Sequence, residues 1–453
     1  MKKKPQVRQK RGSVMSSLHI DFSKEIGRIK PMHAVNNGPL KKGNTQMNSN
    51  FDKYAAARIP YARTHDAAFC ANYGGEHTVD VWAIFPNPDA DENDPASYDF
   101  CLTDEYLERT LSAGTKIFYR LGNKIEHWKK KYGTLPPKDF AKWARICEHI
   151  IRHYNEGWAD GFEWNIEYWE IWNEPDLDPD GSQNKRTWGG TKAQFFDFYE
   201  IAAKHLKGCF PSLKIGGPAI AGKMDWAEDF LLEMRRRSVP IDFFSWHIYT
   251  FTTEKVLARI NTAREIMDRA GYADAESILD EWNYVKNWKE NFPYTIEQII
   301  GFKGAAFQSD VMLKSQNEPV DMIMYYDARP TVWNGLFDFY VQSRTLKGYE
   351  SIIQFSWLYK LGTQVECISE DGGLGAVAAS DGKSGALMLS YYTDDDSETA
   401  VKTLDISLSG LAVKRLSVAY VDKTHSGRTK RIEPSDRLTL ELKPNSFALI
   451  KVN

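Results

Sequence analysis

The chain has no run approaching the roughly 18 apolar residues that a membrane-crossing helix requires, so a spanning helix is not expected. Cysteine is scarce: Cys70, Cys101, Cys147, Cys209 and Cys367 are five, an odd number, with neither CxxC nor Cys/His ligand spacing. That argues against a disulfide framework and a zinc site and fits a reducing cytoplasm. Excess charge of one sign is missing too, with 58 Lys and Arg against 61 Asp and Glu and a net charge of -3. Nucleic acid is therefore not an expected partner, because phosphates need a basic footprint. The one basic run, "MKKKPQVRQKRG", is followed by "SVMSSLHIDFSKE", which is too polar to be the apolar core of a secretion signal, and residues 1–17 read as a disordered basic tail. Internal repeats and low-complexity segments are absent.

What is present is alternation on two scales. Between about residues 26 and 360 eight short β-branched and aromatic runs are separated by longer amphipathic stretches. The runs are "GRIKPMHAV", "ARIPYART", "TKIFYRLG", "YWEIWNE", "LKIGGPA", "DFFSWHIY", "SILDEWN" and "DMIMYYD". The stretch "KDFAKWARICEHIIRHY" shows the intervening pattern, with Phe140, Trp143, Ile146, Cys147, Ile150, Ile151 and Tyr154 at helical spacing. Strand and helix alternating eight times predict a (β/α)8 barrel over residues 18–360. After residue 361 the pattern becomes Leu404/Ile406/Leu408, Leu416/Val418/Tyr420 and Leu438/Leu440/Leu442 between Gly, Asp, Ser and Pro clusters, which predicts a β-sandwich over 361–453. "SLHIDF" alternates in the same way, so residues 18–25 are expected to pair back into that sandwich.

A barrel carries its active site at the C-terminal ends of its strands. In "YWEIWNEPD" Glu174 closes the fourth strand, where Pro175, unable to donate to the ladder, stops it. Period two places Glu170 and Trp172 on the same face, Glu170 deeper, as an interior carboxylate paired with Arg63 or Arg120. In "SILDEWN" Glu281 closes the seventh strand, and Asp280, of opposite parity, points into the helix layer unless the register is one residue off. Two strand-end carboxylates across a barrel are what glycoside hydrolysis needs, one as acid and one as nucleophile or base. Trp169 and Trp172 are expected to flank the acid. Aromatic residues make up 13% of the chain, and their rings suit sugar faces as well as cores.

The segments "WEIWNEPD", "KIGGPAI", "FFSWHIYT" and "IDFSKEIGRIKPMHAVNNGP" resemble glycoside hydrolase family 39, a clan A retaining family that includes β-xylosidases and α-L-iduronidases. The resemblance covers roughly residues 20 to 360. It implies Glu174 as general acid/base, Glu281 as nucleophile, Asn173 on the sugar 2-hydroxyl, His247 and Tyr249 as the family's HxY, and His65 on the sugar. Asp66, Trp282 beside Glu281, Tyr326, Arg329 and Trp333 complete the expected binding set. Arg63 stays open as an interior ion-pair partner and Asp66 as a loop cap.

Strand eight departs from the family pattern, with "YYDARPTVWNGLFD" where the xylosidases carry an aromatic-rich segment. Arg329 there is expected to pair with Asp327, with a uronic acid as the alternative partner. The acidic insertion "VWAIFPNPDADENDPASYDF" is expected to close one side of the barrel mouth and make a pocket suited to exo action. The reading is a retaining, exo-acting, β-xylosidase-like hydrolase of short oligosaccharides, cytoplasmic, using no metal or organic cofactor and possible as a homo-oligomer. An α-L-arabinosidase, a uronidase, a disaccharide-releasing or transferring enzyme, and a catalytically silent sugar-binding barrel stay open.

Overall fold

The computed structural model describes residues 15–40, 49–65 and 78–453. Strand β1 (Met15–Arg28) stands apart from the barrel. The next eight strands, β2 (Ala34–Asn36), β3 (Tyr61–Thr64), β4 (Lys116–Leu121), β5 (Tyr168–Ile171), β6 (Lys214–Ile220), β7 (Phe243–Thr250), β8 (Glu276–Tyr284) and β9 (Met322–Tyr325), pair in parallel in chain order. The ring closes where Ala34 and Val35 of β2 face Met324 and Tyr325 of β9. The protein is a (β/α)8 barrel followed by a separate β-sheet domain.

Local sequence sets the surrounding helices. In helix Phe140–Glu156 the Asp139 side chain accepts from the Lys142 N–H at the start, and Gly157 at φ 73° takes the left-handed turn that ends it. Its face of Trp143, Ile146, Cys147, Ile150, Ile151 and Tyr154 is buried, as the spacing predicts. Helix Lys192–Cys209 opens with a reciprocal capping box between Thr191 and Gln194. Inside the barrel, Ala34, Phe118, Tyr168, Phe243, Ile278, Met322 and Met324 form a separate apolar cluster.

The second domain contains β10 (Thr363–Ser369), β11 (Gly375–Ser380), β12 (Gly385–Tyr391), β13 (Lys402–Ser409), β14 (Leu416–Val421), β15 (Ser426–Ile432), β16 (Arg437–Leu442) and β17 (Ser446–Val452). Together with β1 these form one nine-stranded sheet in the order β15-β14-β17-β12-β11-β10-β1-β13-β16. Strand β1 lies inside it, antiparallel to β10 and parallel to β13. The sheet folds across itself as a sandwich: Leu18, Ile20 and Phe22 share a core with Leu387, Leu389, Leu404, Ile406 and Ile450. Its other face, with Val377, Met388, Val421 and Leu449, joins the main core with the barrel's helices. That two-sided burial explains the near-continuous apolar texture of "GALMLSY" and "SFALIKV".

The chain start differs from expectation. Residues 1–14 of the expected tail lie outside the described residues, but Met15–Ser17 are already strand, paired with Thr403–Asp405. The run "GRIKPMHAV" is split as well: its first two residues end β1, and the barrel strand begins only at Ala34, beyond Pro31, which has no N–H for a ladder. Among the described residues no helix is long and apolar enough to cross a membrane.

Because Ile20 is wholly buried in the sandwich core, Ile20→Ala should lower stability by about 2–5 kcal/mol, read from chemical denaturation. A neutral result would mean that β1 is not integral to the sheet.

Candidate active site

The site is built on Arg63, the third residue of β3, whose side chain is wholly buried. Its Nε donates to Glu170 at 2.7 Å and lies 3.0 Å from Asp280. Nη1 donates to Glu281 at 2.8 Å and to Asn36 at 3.2 Å, and Nη2 donates to Asn173 at 2.7 Å. One planar cation therefore orders residues from β2, β5 and β8 and from the loop after β5.

Glu281 sits in the upper part of β8. Besides Arg63, it receives the Tyr249 hydroxyl at 2.7 Å, has His65 Nε2 at 2.9 Å, and has His247 Nδ1 at 3.5 Å. Burial pushes its carboxyl up, but His247, His65 and Arg63 outweigh burial and hold it well below the usual range. This carboxylate stays ionised.

Glu174 lies beyond the end of β5, three residues past Ile171. Trp172 and Glu174 both adopt left-handed backbone, at φ 76° and 50°. Contacts with neighbouring loops hold this turn: the Glu174 N–H donates to the Ala219 carbonyl at 2.9 Å, and its own carbonyl accepts the Thr187 hydroxyl at 2.6 Å. Asp176 accepts the N–H groups of Ala221 and Lys223, tying the loops after β5 and β6 together. The Glu174 side chain reaches back to His247, with Oε1 2.9 Å from Nδ1.

A cavity of about 500 Å³ opens above these groups. Of the expected set, His65, Asn173, Glu174, Tyr249, Glu281, Tyr326 and Trp333 line it. His247 is wholly buried and does not. Trp333 and Trp288 pack with ring centroids 5.4 Å apart and make an aromatic wall with Tyr249.

Several expectations are corrected. Trp282 is not in the cavity: alternation turns it outward from Glu281, and its ring packs on Phe307 and Tyr325. Arg329 does not line the cavity either; it makes the expected internal pair, donating to Asp327 at 2.7 Å, and also donates to the Tyr326 hydroxyl at 3.3 Å. Asp66 lies outside the described residues. Trp169 and Trp172 do not flank Glu174; Trp169 stacks on Tyr119, and Trp172 turns outward onto Trp143, Trp188 and Phe198 once the backbone leaves the strand. The interior pairing expected of Glu170 is present, with Arg63, while Arg120 takes Asp80 at 2.8 Å. Asp280 points into the barrel and not the helix layer. The pairing of β7 and β8 slips between Trp246/Leu279 and His247/Glu281, a bulge that turns Asp280 and Glu281 to the same side. The acidic insertion does not line the cavity; Glu92 receives Arg145 at 2.8 Å and the Ala90 carbonyl receives Lys142, so the segment lies along helix Phe140–Glu156.

Sequence reasoning missed Ile125, His127, Leu177, Arg186, Ala221 and Trp288. His127 was within reach, since "NKIEHW" follows directly after β4. Arg186 lines the wall while donating twice to Asp178. Two groups among the described residues have the ligand types and spacing to hold a cation: Glu174, His247 and Glu281 in the site, and Glu148, His205 and Cys209 on the barrel's outside. In the site, the adjacent Arg63 guanidinium already supplies the compensating positive charge.

Residues 77–296 match the profile of the family described as Glycosyl hydrolases family 39. The chain is 32% identical over 167 residues to a β-xylosidase of Geobacillus stearothermophilus and 30% identical over 168 residues to one of Caldicellulosiruptor saccharolyticus. These stretches are 34% and 36% of this chain and span 31% and 30% of the relatives' lengths. The solved structure of a glucosidase from Croceicoccus marinus shares the fold, at a TM-score of 0.77 and 23% identity over 97% of this chain and 99% of that one. The matched segment, which holds both the strand-four and the strand-seven glutamate, is thus similar to glycosyl hydrolases family 39.

Proposed function

We propose that the protein is a retaining glycoside hydrolase that releases a terminal sugar from short saccharides, with a β-xyloside as its substrate class. One observation carries the reading. An oxygen of Glu174, an oxygen of Glu281 and a nitrogen of His247 lie within 4.8 Å of one another. Retaining enzymes hold their two carboxyl groups about 5–5.5 Å apart, whereas inverting ones leave about 6.5–9.5 Å for a water between them.

The environments support a division of labour. Glu281, kept ionised by four donors and cations, attacks the anomeric carbon, and a bond from its oxygen replaces the bond to the leaving oxygen. Glu174 gives its proton to that leaving oxygen. In the second step Glu174 takes a proton from water, the water oxygen bonds to the anomeric carbon, and Glu281 leaves as carboxylate. Configuration is retained after two inversions. Asn173, oriented by Arg63, lines the same cavity as the two acids and suits the sugar's 2-hydroxyl. The size of the cavity and its tryptophan wall favour one terminal sugar over an open chain, and the names of the matched relatives favour xylose. Cytoplasmic action is part of the proposal, supported by the four described cysteines all being free thiols.

Initial rates on a panel of aryl glycosides, with β-D-xyloside beside α-L-arabinofuranoside, α-L-arabinopyranoside, β-D-galactoside, β-D-glucoside and α-L-iduronide, should give one clear hit that Glu281→Gln abolishes. Silence across the panel would sink the exo-xylosidase reading. Glu174→Ala should cost about 10²–10⁴-fold on a substrate with a poor leaving group and far less on an activated one, with azide restoring turnover of the latter. Tyr249→Phe removes a donor to an ionised carboxylate, worth about 1.5–3 kcal/mol, so kcat should fall about 10–100-fold. The same loss favours the protonated nucleophile, so the acid limb of the pH–rate profile should move to higher pH. A limb that stays in place would remove Tyr249 from the nucleophile's support.

A further inference from the structure

Below the cavity lies an acid that the two-step reaction does not use. Asp280 sits wholly buried on the bulge of β8. Neither of its carboxylate oxygens completes a hydrogen bond to a nitrogen donor, and what faces it is Arg63 Nε at 3.0 Å, His247 Nε2 at 3.4 Å and the Glu170 carboxyl. Burying a carboxylate is costly, and the bulge gives up regular pairing to place it there. Pairing with Arg63 accounts for its charge but not for the imidazole held on its far side. The imidazole on its far side leads to the pocket, because His247 Nδ1 lies 2.9 Å from Oε1 of Glu174. Asp280, His247 and Glu174 thus form a line of acid, imidazole and acid from the barrel interior to the cavity.

We propose that Asp280 is a positioning residue for the acid/base: it holds His247 with N–H at both ring nitrogens, so that Nδ1 always donates to Oε1 of Glu174. This rests on the glycosidase reading. A neutral imidazole carries one N–H and one bare nitrogen, whereas an imidazolium donates from both. The charged groups facing His247 are Glu174, Glu281 and Asp280, with Arg63 behind the acids. Burial disfavours the imidazolium, but Glu281, Asp280 and Glu174 outweigh it and raise His247 above the ordinary histidine range. An Nδ1 that already bears hydrogen cannot take a proton from Oε1. The transferable proton of Glu174 is then left on Oε2, for the leaving oxygen. Without the Asp280 charge, His247 can fall to the neutral ring with Nδ1 bare. Glu174 would then carry its proton on Oε1 and donate it in a hydrogen bond to the bare Nδ1, pointed away from the substrate, while the ring stays neutral.

The test uses the full-length protein and the near-isosteric Asp280→Asn, with two readouts. Nitrogen NMR of the His247 ring, assigned by its loss in His247→Gln, should show both nitrogens protonated in the wild type between about pH 6 and 8 and a neutral ring in Asp280→Asn. A wild-type ring already neutral, or a variant ring still doubly protonated, would overturn the proposal, and the wild-type spectrum decides even if the variant does not fold. In kinetics on β-D-xylosides, Asp280→Asn should lose about 10²-fold in kcat with a phenol leaving group and less than about threefold with dinitrophenol, KM holding steady. Equal losses on both would mark a merely structural role. If the wild type turns over neither xyloside, the substrate reading fails, while the ring spectra still decide the role of Asp280.

Discussion

The guanidinium of Arg63 is the interaction on which the site depends. A wholly buried cation survives only if its hydrogens and charge are matched, and three acids and two amides from other parts of the barrel do this. Matching works in both directions, since Glu170, Asp280 and Glu281 are themselves buried and, among the described residues, pair with no other guanidinium. Charge balance then constrains protonation. Burial, opposed by Arg63 but reinforced by the neighbouring Asp280, pushes Glu170 up to about 8, which leaves it neutral where Asp280 and Glu281 are ionised. With His247 as imidazolium, two cations face two anions. Such a cluster favours one geometry over others, because every partial rearrangement strands a charge.

Two glutamates in one cluster acquire different chemistry because the backbone delivers them differently. Glu281 rises from a strand and is met by donors from β3, β7 and the loop after β3, so its negative charge is prepaid by the fold. Glu174 arrives from a loop whose left-handed turns are held by hydrogen bonds to neighbouring loops, and it approaches the cluster through a single imidazole nitrogen. The nucleophile is fixed by many contacts and the acid by few, which leaves the acid free to exchange its proton.

Much of this was legible in the sequence, and the exceptions have a common cause. Eight periodic runs predicted the barrel, and the strand-end rule located Glu174 and Glu281, because both signals come from local patterning. Period two failed wherever the backbone left ideal strand geometry: at Trp172, turned outward by a positive φ, and at Asp280, turned inward by a bulge. Those departures are imposed by pairing with β7 and by packing against other loops, and no nearby residue announces them. Trp282 was recoverable, since alternation alone sets it opposite to Glu281. The acidic insertion misled because charge suggested a lid, whereas its partners are the Lys142 and Arg145 side chains of a helix on the barrel's flank.

The sheet domain has a place in the same argument. Trp288 lines the cavity from the segment after β8, a position that a freely moving segment could not hold. That segment is anchored from the sheet side: Asp394, in the β12–β13 connection, accepts the Tyr284 hydroxyl at 2.8 Å and pairs with Lys286, two residues before Trp288. Buried Lys303 joins the anchor, donating to the Asp394 carbonyl at 2.7 Å and to Asp396 at 2.8 Å, and Tyr294 donates to the same Asp396. The Tyr392 hydroxyl donates to the Phe251 carbonyl at 2.5 Å, so the end of β7 is tied to the sheet as well. The two strands that carry Tyr249 and Glu281 thus end in loops fastened to the second domain. A barrel without the sheet would keep Arg63 and its acids, whose contacts lie within the barrel, but would lose what holds the aromatic wall above them.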